Sequence, residues 1–329
     1  MKKILIDDRW AGTGGIGTFA EEVNKITSFK SAEFNGKPYS PLDCLKTSIA
    51  LIGKKDTLVF FPGYIPPLYT AVPYVFTIHD LNHIERKENT SILKRLFYKF
   101  VIKRGCRNAQ FVFTVSEFSR ERIINWAGVP GKKVINVGNG VSTDFIPTGN
   151  VKKIGFEYFL CVSNRKAHKN EIGTIIAFAQ ASIPHDIKLV FTGKRTDILD
   201  KIIAEYNVKD RVIFTGFIDA DELPAYYRGA KALVFVSFYE GFGLPVIEAM
   251  ASGIPVITSK TTSLGEVAGT AALLVDPENV AEISSAITEI CHNSLLKDKL
   301  IQNGIAQAKK YSWELTADRI RKHLLSISS

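Results

Sequence analysis

Two glutamates bracket the most chemically suggestive stretch of the chain, Glu240-Gly241-Phe242-Gly243-Leu244-Pro245-Val246-Ile247-Glu248. The stretch directly follows an apolar, strand-like run at 232–237. Gly241 and Gly243 let the backbone turn tightly and come close to a ligand. Pro245 suits the first turn of a helix, where its missing N–H costs nothing. The free N–H groups of that turn, with the positive end of the helix dipole, form an anion site. Eight positions apart, the two carboxylates can face one crevice and accept hydrogen bonds from two sets of hydroxyls. A second stretch, Ser163-Asn164-Arg165-Lys166-Ala167-His168-Lys169-Asn170, follows another apolar run and precedes a helical pattern. Arg165 and Lys169 would there stabilise the charge that grows on a departing phosphate, while Lys166 and His168 read as solvated.

Two further loops carry candidates. Gly12-Thr13-Gly14-Gly15-Ile16-Gly17 precedes a helix expected from Gly17 and reads formally as the G-x-G-x-x-G dinucleotide fingerprint. That fingerprint wants its first glycine almost at the strand end and an acid after a second strand; here 7–11 intervene and 28–41 offer no convincing strand. Thr77-Ile78-His79-Asp80 ends an apolar run, so His79 would point into the crevice of an open α/β sheet, with Asp80 fixing the turn or the ring. Asp7-Asp8 diverge on a strand and the six histidines do not cluster, so no metal site is expected.

The elements that must hold these loops are legible as alternation. Short runs rich in Val, Ile and Phe at 3–6, 58–61, 74–78, 111–115, 134–137, 158–162, 188–191, 212–214, 232–236 and 255–258 are interleaved with helical patterns. Near-continuous apolar strands separated by helices imply parallel sheets covered on both faces. The breaker-rich segment 147–153 reads as a linker between two Rossmann-like halves, 1–150 and 151–311, followed by a last helix at 312–329. The 329 residues are 46 % hydrophobic and 23 % charged, as in folded globular chains. No run approaches the ~20 apolar residues of a membrane span. The opening residues are too short for a signal peptide, and the four dispersed cysteines read as buried free thiols of a cytoplasmic protein.

At these residues the chain resembles the family 4 retaining nucleotide-sugar glycosyltransferases, whose E-x7-E motif matches Glu240 and Glu248. The likeness extends to Phe214-Thr215-Gly216-Phe217, to Ser263-Leu264-Gly265-Glu266-Val267-Ala268-Gly269 and to Leu274-Val275-Asp276-Pro277. The resemblance implies the α/β GT-B architecture: two Rossmann-like domains facing a cleft, the last helix crossing back to the first. It implies that Glu240 contacts donor-sugar hydroxyls and that Glu248 contacts the ribose. Arg165 and Lys169 would face the diphosphate, and Gly241, Phe242, Gly243 and Leu244 would line the donor. Gly15 would lie over the phosphates, and His79 would approach the donor sugar. Ser116 reads as a helix cap and Asn139-Gly140-Val141 as a structural turn. The resemblance further implies a metal-independent transfer with retention, no cofactor beyond the nucleoside-diphosphate sugar, and closure of the two halves about 147–153 and 311–312. The segment 263–276 leans towards GDP-mannose or a deoxysugar nucleotide, and the commonest role of similar chains is bacterial polysaccharide or lipopolysaccharide assembly on a glycan or lipid-linked acceptor.

Other readings compete. A nucleotide-sugar epimerase or hydrolase would use the same fold. A dinucleotide oxidoreductase is disfavoured by the missing ribose acid, and a nucleic-acid-binding protein by the absence of a matching module. Charge supplies a partner hint instead: residues 1–150 carry 21 Lys and Arg against 13 Asp and Glu, whereas residues 151–329 carry 21 against 20. A basic first half suits an anionic membrane surface on the inner face of the plasma membrane. In the helix expected over 92–104, Leu93, Leu96, Phe97, Phe100 and Val101 form one face that would pack on the sheet, leaving the cations of the other face for lipid.

Overall fold

The computed structural model describes residues 2–12 and 14–328, so Thr13 of the glycine-rich stretch lies outside the described residues. The chain forms two compact units, Met1–Gly140 joined by Ser312–Ser329, and Val141–Tyr311. The division falls ten residues before the expected boundary at 150. Residues 144–150 belong to the second unit, where Arg228 donates to the carbonyls of Asn150, Asp144 and Ile146 at 2.8, 3.4 and 3.3 Å.

The first unit runs β1 (Lys3–Ile6), α1 (Gly14–Thr27), β2 (Lys30–Ser31), α2 (Asp43–Ala50), β3 (Thr57–Phe61), β4 (Tyr74–Thr77), α3 (Asn82–Glu85), α4 (Ile92–Phe97), α5 (Lys103–Asn108), β5 (Phe111–Thr114), α6 (Glu117–Ala127) and β6 (Val134–Asn136). Its six parallel strands lie in the order β2-β1-β3-β4-β5-β6. The two-residue β2 supplies the second strand that no apolar pattern announced. The expected single helix over 92–104 is split: one turn of π-helix at Tyr98–Ile102 separates α4 from α5. This slip turns Tyr98 and Ile102 into the core and lets Phe97 and Val101 pack against it, while Leu93, Leu96 and Phe100 are left exposed.

The second unit runs β7 (Tyr158–Cys161), α7 (Glu171–Gln180), β8 (Lys188–Phe191), α8 (Asp197–Glu205), β9 (Val212–Phe214), α9 (Leu223–Gly229), β10 (Ala232–Phe235), α10 (Leu244–Ala251), β11 (Val256–Ser259), α11 (Thr262–Ala268), β12 (Leu273–Val275), α12 (Val280–His292) and α13 (Ser294–Ala308). Its parallel strands lie in the order β12-β11-β10-β7-β8-β9. The strand order therefore reverses between β7 and β10, which pair directly (Phe159 with Ala232, Leu160 with Leu233). In open parallel sheets ligands bind at such a switch point, beyond the carboxyl ends of the strands.

The final helix, α14 (Trp313–Ser328), belongs to the first unit, as the resemblance implied. Ser312 caps it by accepting from Leu315 N at 3.2 Å. It buries Trp313, Ala317, Ile320 and Leu324. Trp313 meets Phe19 of α1 edge-on at 6.2 Å, and Arg321 donates to Ile26 O at 3.0 Å. Cys44, Cys106 and Cys161 are buried free thiols, and Cys291 is half-buried. Among the described residues, no helix is long and apolar enough to cross a membrane.

Candidate functional site

The loops after β7 and β10, the two strands at the switch point of the second unit, carry the strongest sequence candidates. Lys169 Nζ donates to Glu240 Oε1 at 2.7 Å, and each side chain is only 13 % exposed. The ammonium also lies 4.9 Å from the ring centre of Phe235, the last residue of β10. Seventy-one positions apart in sequence, the two meet because their strands are neighbours.

The geometry of both loops is fixed by buried polar groups. Asn170 adopts a left-handed backbone (φ 53°). Its amide donates to Val236 O at 3.1 Å and to Pro277 O at 2.7 Å, tying the lysine loop to the ends of β10 and β12. His168, expected to be solvated, is buried instead, because its carbonyl accepts from Phe238 N at 2.8 Å and draws this turn under the neighbouring loop. Ser263 of α11 donates to Glu240 O at 2.8 Å and reaches Phe242 O at 3.1 Å. Gly241, Phe242 and Gly243 are buried and Leu244 is half-buried. Gly243 stands at φ 100°, and a Cβ there would come within 2.4 Å of Leu264 Cδ2, so a side chain at this turn would be strained and would displace Leu264. No side chain caps α10, whose first turn contains Pro245.

Arg165 does not present a free guanidinium. It ion-pairs with Glu171, donates to Thr192 O at 2.5 Å and to Lys194 O at 2.6 Å. Its plane lies 5.5 and 5.1 Å from the ring centres of Phe191 and Phe214. In this conformation each of its three nitrogens bonds within the loop, which Ser163 N also anchors through Thr192 Oγ1 at 3.0 Å. The sequence offered no sign of this, since Glu171 and Thr192 read as ordinary helix and strand-end residues.

Glu248, in the second turn of α10, accepts from Tyr227 Oη of α9 at 2.7 Å. Burial pushes the Glu248 carboxyl up to about 7, against which the tyrosine hydroxyl acts in the opposite direction. Tyr227 is fully buried, and burial with the adjacent carboxylate holds its phenol neutral. Sequence reading missed Tyr227, and its neighbour Tyr226 gave it no distinguishing pattern.

In the first unit, β4 leads to His79. The ring is half-buried. Its Nε2 lies 2.9 Å from Pro62 O, and a carbonyl can only accept, so Nε2 carries the proton. Phe19 stands edge-on at 5.0 Å. Burial lowers the imidazole to about 4, so the ring is neutral at pH 7 and Nδ1 keeps its lone pair as an acceptor. Asp80 fixes the turn, accepting from Asn82 N at 2.9 Å. Ser116 caps α6 by accepting from Ser119 N at 3.1 Å. The glycine-rich stretch is not a loop up to Gly17: α1 begins at Gly14 and absorbs its glycines. A Cβ at Gly17 would meet Trp10 O at 2.8 Å, a packing constraint, whereas one at Gly15 would meet nothing within 4 Å. Gly140, expected in a structural turn, packs closely, since a Cβ there would come within 2.3 Å of Trp313 N.

The chain is similar to known glycosyltransferases over both units. The family model described as "Glycosyl transferases group 1" matches residues 143–307, and that of "Glycosyltransferase Family 4" matches residues 20–145. O-antigen chain mannosyltransferase B of Escherichia coli is 29 % identical over 279 residues, spanning 80 % of this chain and 73 % of that protein. O-antigen chain mannosyltransferase RfbU of Salmonella typhimurium is 33 % identical over 218 residues, 65 % of this chain and 60 % of that protein. Among solved structures, Anabaena HepE in complex with UDP and glucose superposes with a TM-score of 0.80 at 19 % identity, covering 99 % of this chain and all of that one. The chain belongs to the group 1 glycosyl transferases (family 4) and is a glycosyltransferase of the GT-B fold.

Proposed function

We propose that the protein moves a sugar, with retention, from a nucleoside-diphosphate sugar to an acceptor hydroxyl in bacterial polysaccharide assembly, with GDP-mannose or a deoxysugar nucleotide as donor. The observation that carries the reading is the Lys169–Glu240 pair at the switch point of the second unit. The mannosyltransferases among the relatives and the UDP bound in HepE support a nucleotide-sugar donor and a glycan acceptor.

In this reading the donor divides the pair. The diphosphate takes the Lys169 ammonium, whose charge stabilises the leaving group as the glycosidic bond breaks. Glu240, released, accepts hydroxyls of the donor sugar. Arg165 is a positioning residue that holds the lysine loop through Glu171 and the Thr192 and Lys194 carbonyls. Backbone groups from Gly241 to Leu244 lie against the diphosphate, and Glu248 accepts the ribose hydroxyls. Gly15 offers an unobstructed backbone to the donor, and His79 accepts a sugar hydroxyl through Nδ1. The leaving phosphate takes the acceptor's proton on the face it vacates, so no protein nucleophile is required and the anomeric configuration is kept. Transfer proceeds without a metal ion.

Offering UDP-, GDP- and dTDP-sugars to the purified protein with chelator present tests this. One donor should be consumed in the presence of acceptor, and the product anomer should match that of the donor. Inversion at the anomeric carbon, or activity lost to chelator and restored by Mg²⁺ or Mn²⁺, would contradict the corresponding part of the reading. Tight NAD binding with no affinity for any nucleoside diphosphate would overturn the whole.

A further inference from the structure

Two helices of the first unit show water the wrong side chains. Helix α2 buries Asp43, Cys44 and Thr47. Asp43 is 1 % exposed because Arg9 pairs with it at 2.8 Å, and the Thr47 hydroxyl donates to Asp43 O at 2.8 Å. The opposite stripe, Leu42, Leu45, Ile49 and Ile52 at i, i+3, i+7 and i+10, is exposed, Ile52 by 78 %. A surface helix of a water-soluble domain has the reverse arrangement. Helix α4 has no buried residue at all, yet it contains Ile92, Leu93 and Leu96, the first two 78 % exposed. Phe100 of the following π-turn is also exposed.

The two stripes are linked. Tyr69, itself exposed, donates its N–H to Ser48 Oγ of α2 at 3.0 Å. The Arg104 guanidinium of α5 stacks 4.0 Å from the ring centre of Tyr69 and donates to its hydroxyl at 3.3 Å. The α4–α5 segment carries charge of one sign. Between Glu88 and Glu117 the sequence holds Lys94, Arg95, Lys99, Lys103, Arg104 and Arg107 and no acidic residue. Lys46 sits on α2 between the exposed leucine and isoleucine.

We propose that this face, formed by α2, Tyr69 and the α4–α5 segment, docks on an anionic lipid bilayer, with its aliphatic and aromatic side chains inserted below the headgroups and its cations at the lipid phosphates. The occupant follows from the charge: a second copy packed by two-fold symmetry would bring this cationic face against itself, whereas anionic headgroups over an apolar interior complement both the cations and the apolar stripes. Insertion takes the exposed Ile92, Leu93, Leu96 and Phe100, while Phe97 and Val101 keep their packing on the core. It also brings in α2, which carries few charges and binds through apolar area. The inference stands apart from the transferase reading, since it needs no donor.

The test is sedimentation of the full chain with vesicles containing phosphatidylglycerol and with vesicles of phosphatidylcholine alone. Partition onto the anionic vesicles should exceed that onto the neutral ones by roughly tenfold or more and weaken in high salt. The pair Leu93→Gln and Leu96→Gln, and separately Ile49→Gln and Ile52→Gln, should each lower partition about tenfold at constant salt. All four positions are exposed, so the thermal transition should not fall, which separates loss of docking from loss of fold. The set Lys94→Gln, Arg95→Gln and Lys99→Gln should lower partition mainly at low salt. No binding to anionic vesicles, equal recovery on both kinds, or apolar variants that bind like the parent would overturn the proposal. So would a dimer in lipid-free solution that dissociates on Ile49→Gln and Ile52→Gln, which would assign the face to a second copy.

Discussion

The two units share a plan of parallel strands between helices but use a half-buried, carboxylate-paired arginine to different ends. In the first, Arg9 sits between Asp7 and Asp43, bonds to Asn35 O at 2.9 Å and lies 5.3 Å from the ring centre of Phe34. Two carboxylates share one guanidinium, and burial raises the Asp7 carboxyl. The clamp fixes the start of α2 and thereby sets which stripe of that helix faces out. In the second, Arg165 pairs with one carboxylate and spends its other nitrogens on the carbonyls of Thr192 and Lys194. That clamp holds a loop whose product is the Lys169–Glu240 pair. The same chemical device builds a surface in one unit and a site in the other.

The sharpest way to break the comparison is to remove each arginine. Arg9→Ala strands two buried carboxylates and should cost the first unit about 3–5 kcal/mol. The three tryptophans, Trp10, Trp126 and Trp313, all lie in that unit, so their fluorescence during urea unfolding reads it alone. Arg165→Ala should leave this signal in place and weaken nucleoside and nucleoside-diphosphate binding alike, as expected of a positioning residue. A selective loss for the diphosphate would return Arg165 to direct phosphate contact.

Next in size are the site residues themselves. Lys169→Ala should lower the affinity for nucleoside diphosphate about ten- to a hundredfold while sparing the nucleoside, the loss expected for one charged hydrogen-bond partner. Glu240→Gln should act mainly on turnover. If both variants transferred sugar at the parental rate, the pair would not be the site.

Glu248 offers a finer probe. With its carboxyl raised to about 7, the ionised form that accepts ribose hydroxyls grows as pH rises. Affinity for an intact nucleotide sugar should therefore improve by up to about tenfold between about pH 6 and pH 8. Tyr227→Phe removes the hydrogen bond that lowers the carboxyl and should move the midpoint upward, and Glu248→Gln should flatten the profile. The stability linkage has the opposite sign: protonated Glu248 favours the fold below the ordinary carboxylate range, and this contribution is lost as pH rises through about 7.

The smallest expected effect belongs to His79, held neutral by burial at about 4. Its contribution to the first unit is present above the ordinary histidine value near 6.5. It is lost as pH falls from there towards 4, because the unfolded chain takes up the proton first. His79→Asn should remove that part of the acid dependence of the tryptophan signal. An unchanged dependence would place the acid sensitivity in another group; Asp7, whose carboxyl burial raises, favours the fold in acid and is not that group.

Sequence by itself determined what is local. The apolar runs became strands within a residue or two, since a strand buried on both faces must be apolar throughout. Glycine at 243 and proline at 245 marked a strand–turn–helix, the glycine because the turn stands at φ 100° and the proline because it suits the first helical turn. Helix α2 lacked a start signal, since Leu42 caps it without a side-chain bond, and the helical spacing of Leu42, Leu45, Ile49 and Ile52 does not say which way that stripe faces. The π-turn at Tyr98–Ile102 likewise turned the expected packing face of 92–104 partly to the outside. Only the tertiary structure decided which charges meet. Lys169 reaches Glu240 because β7 lies beside β10, although two other strands come between them in the chain. Arg165 is occupied because β8 brings Thr192 and Lys194 alongside it. Strand order is a non-local property, set by which helices can cover which faces of the sheet, and no window of sequence contains it.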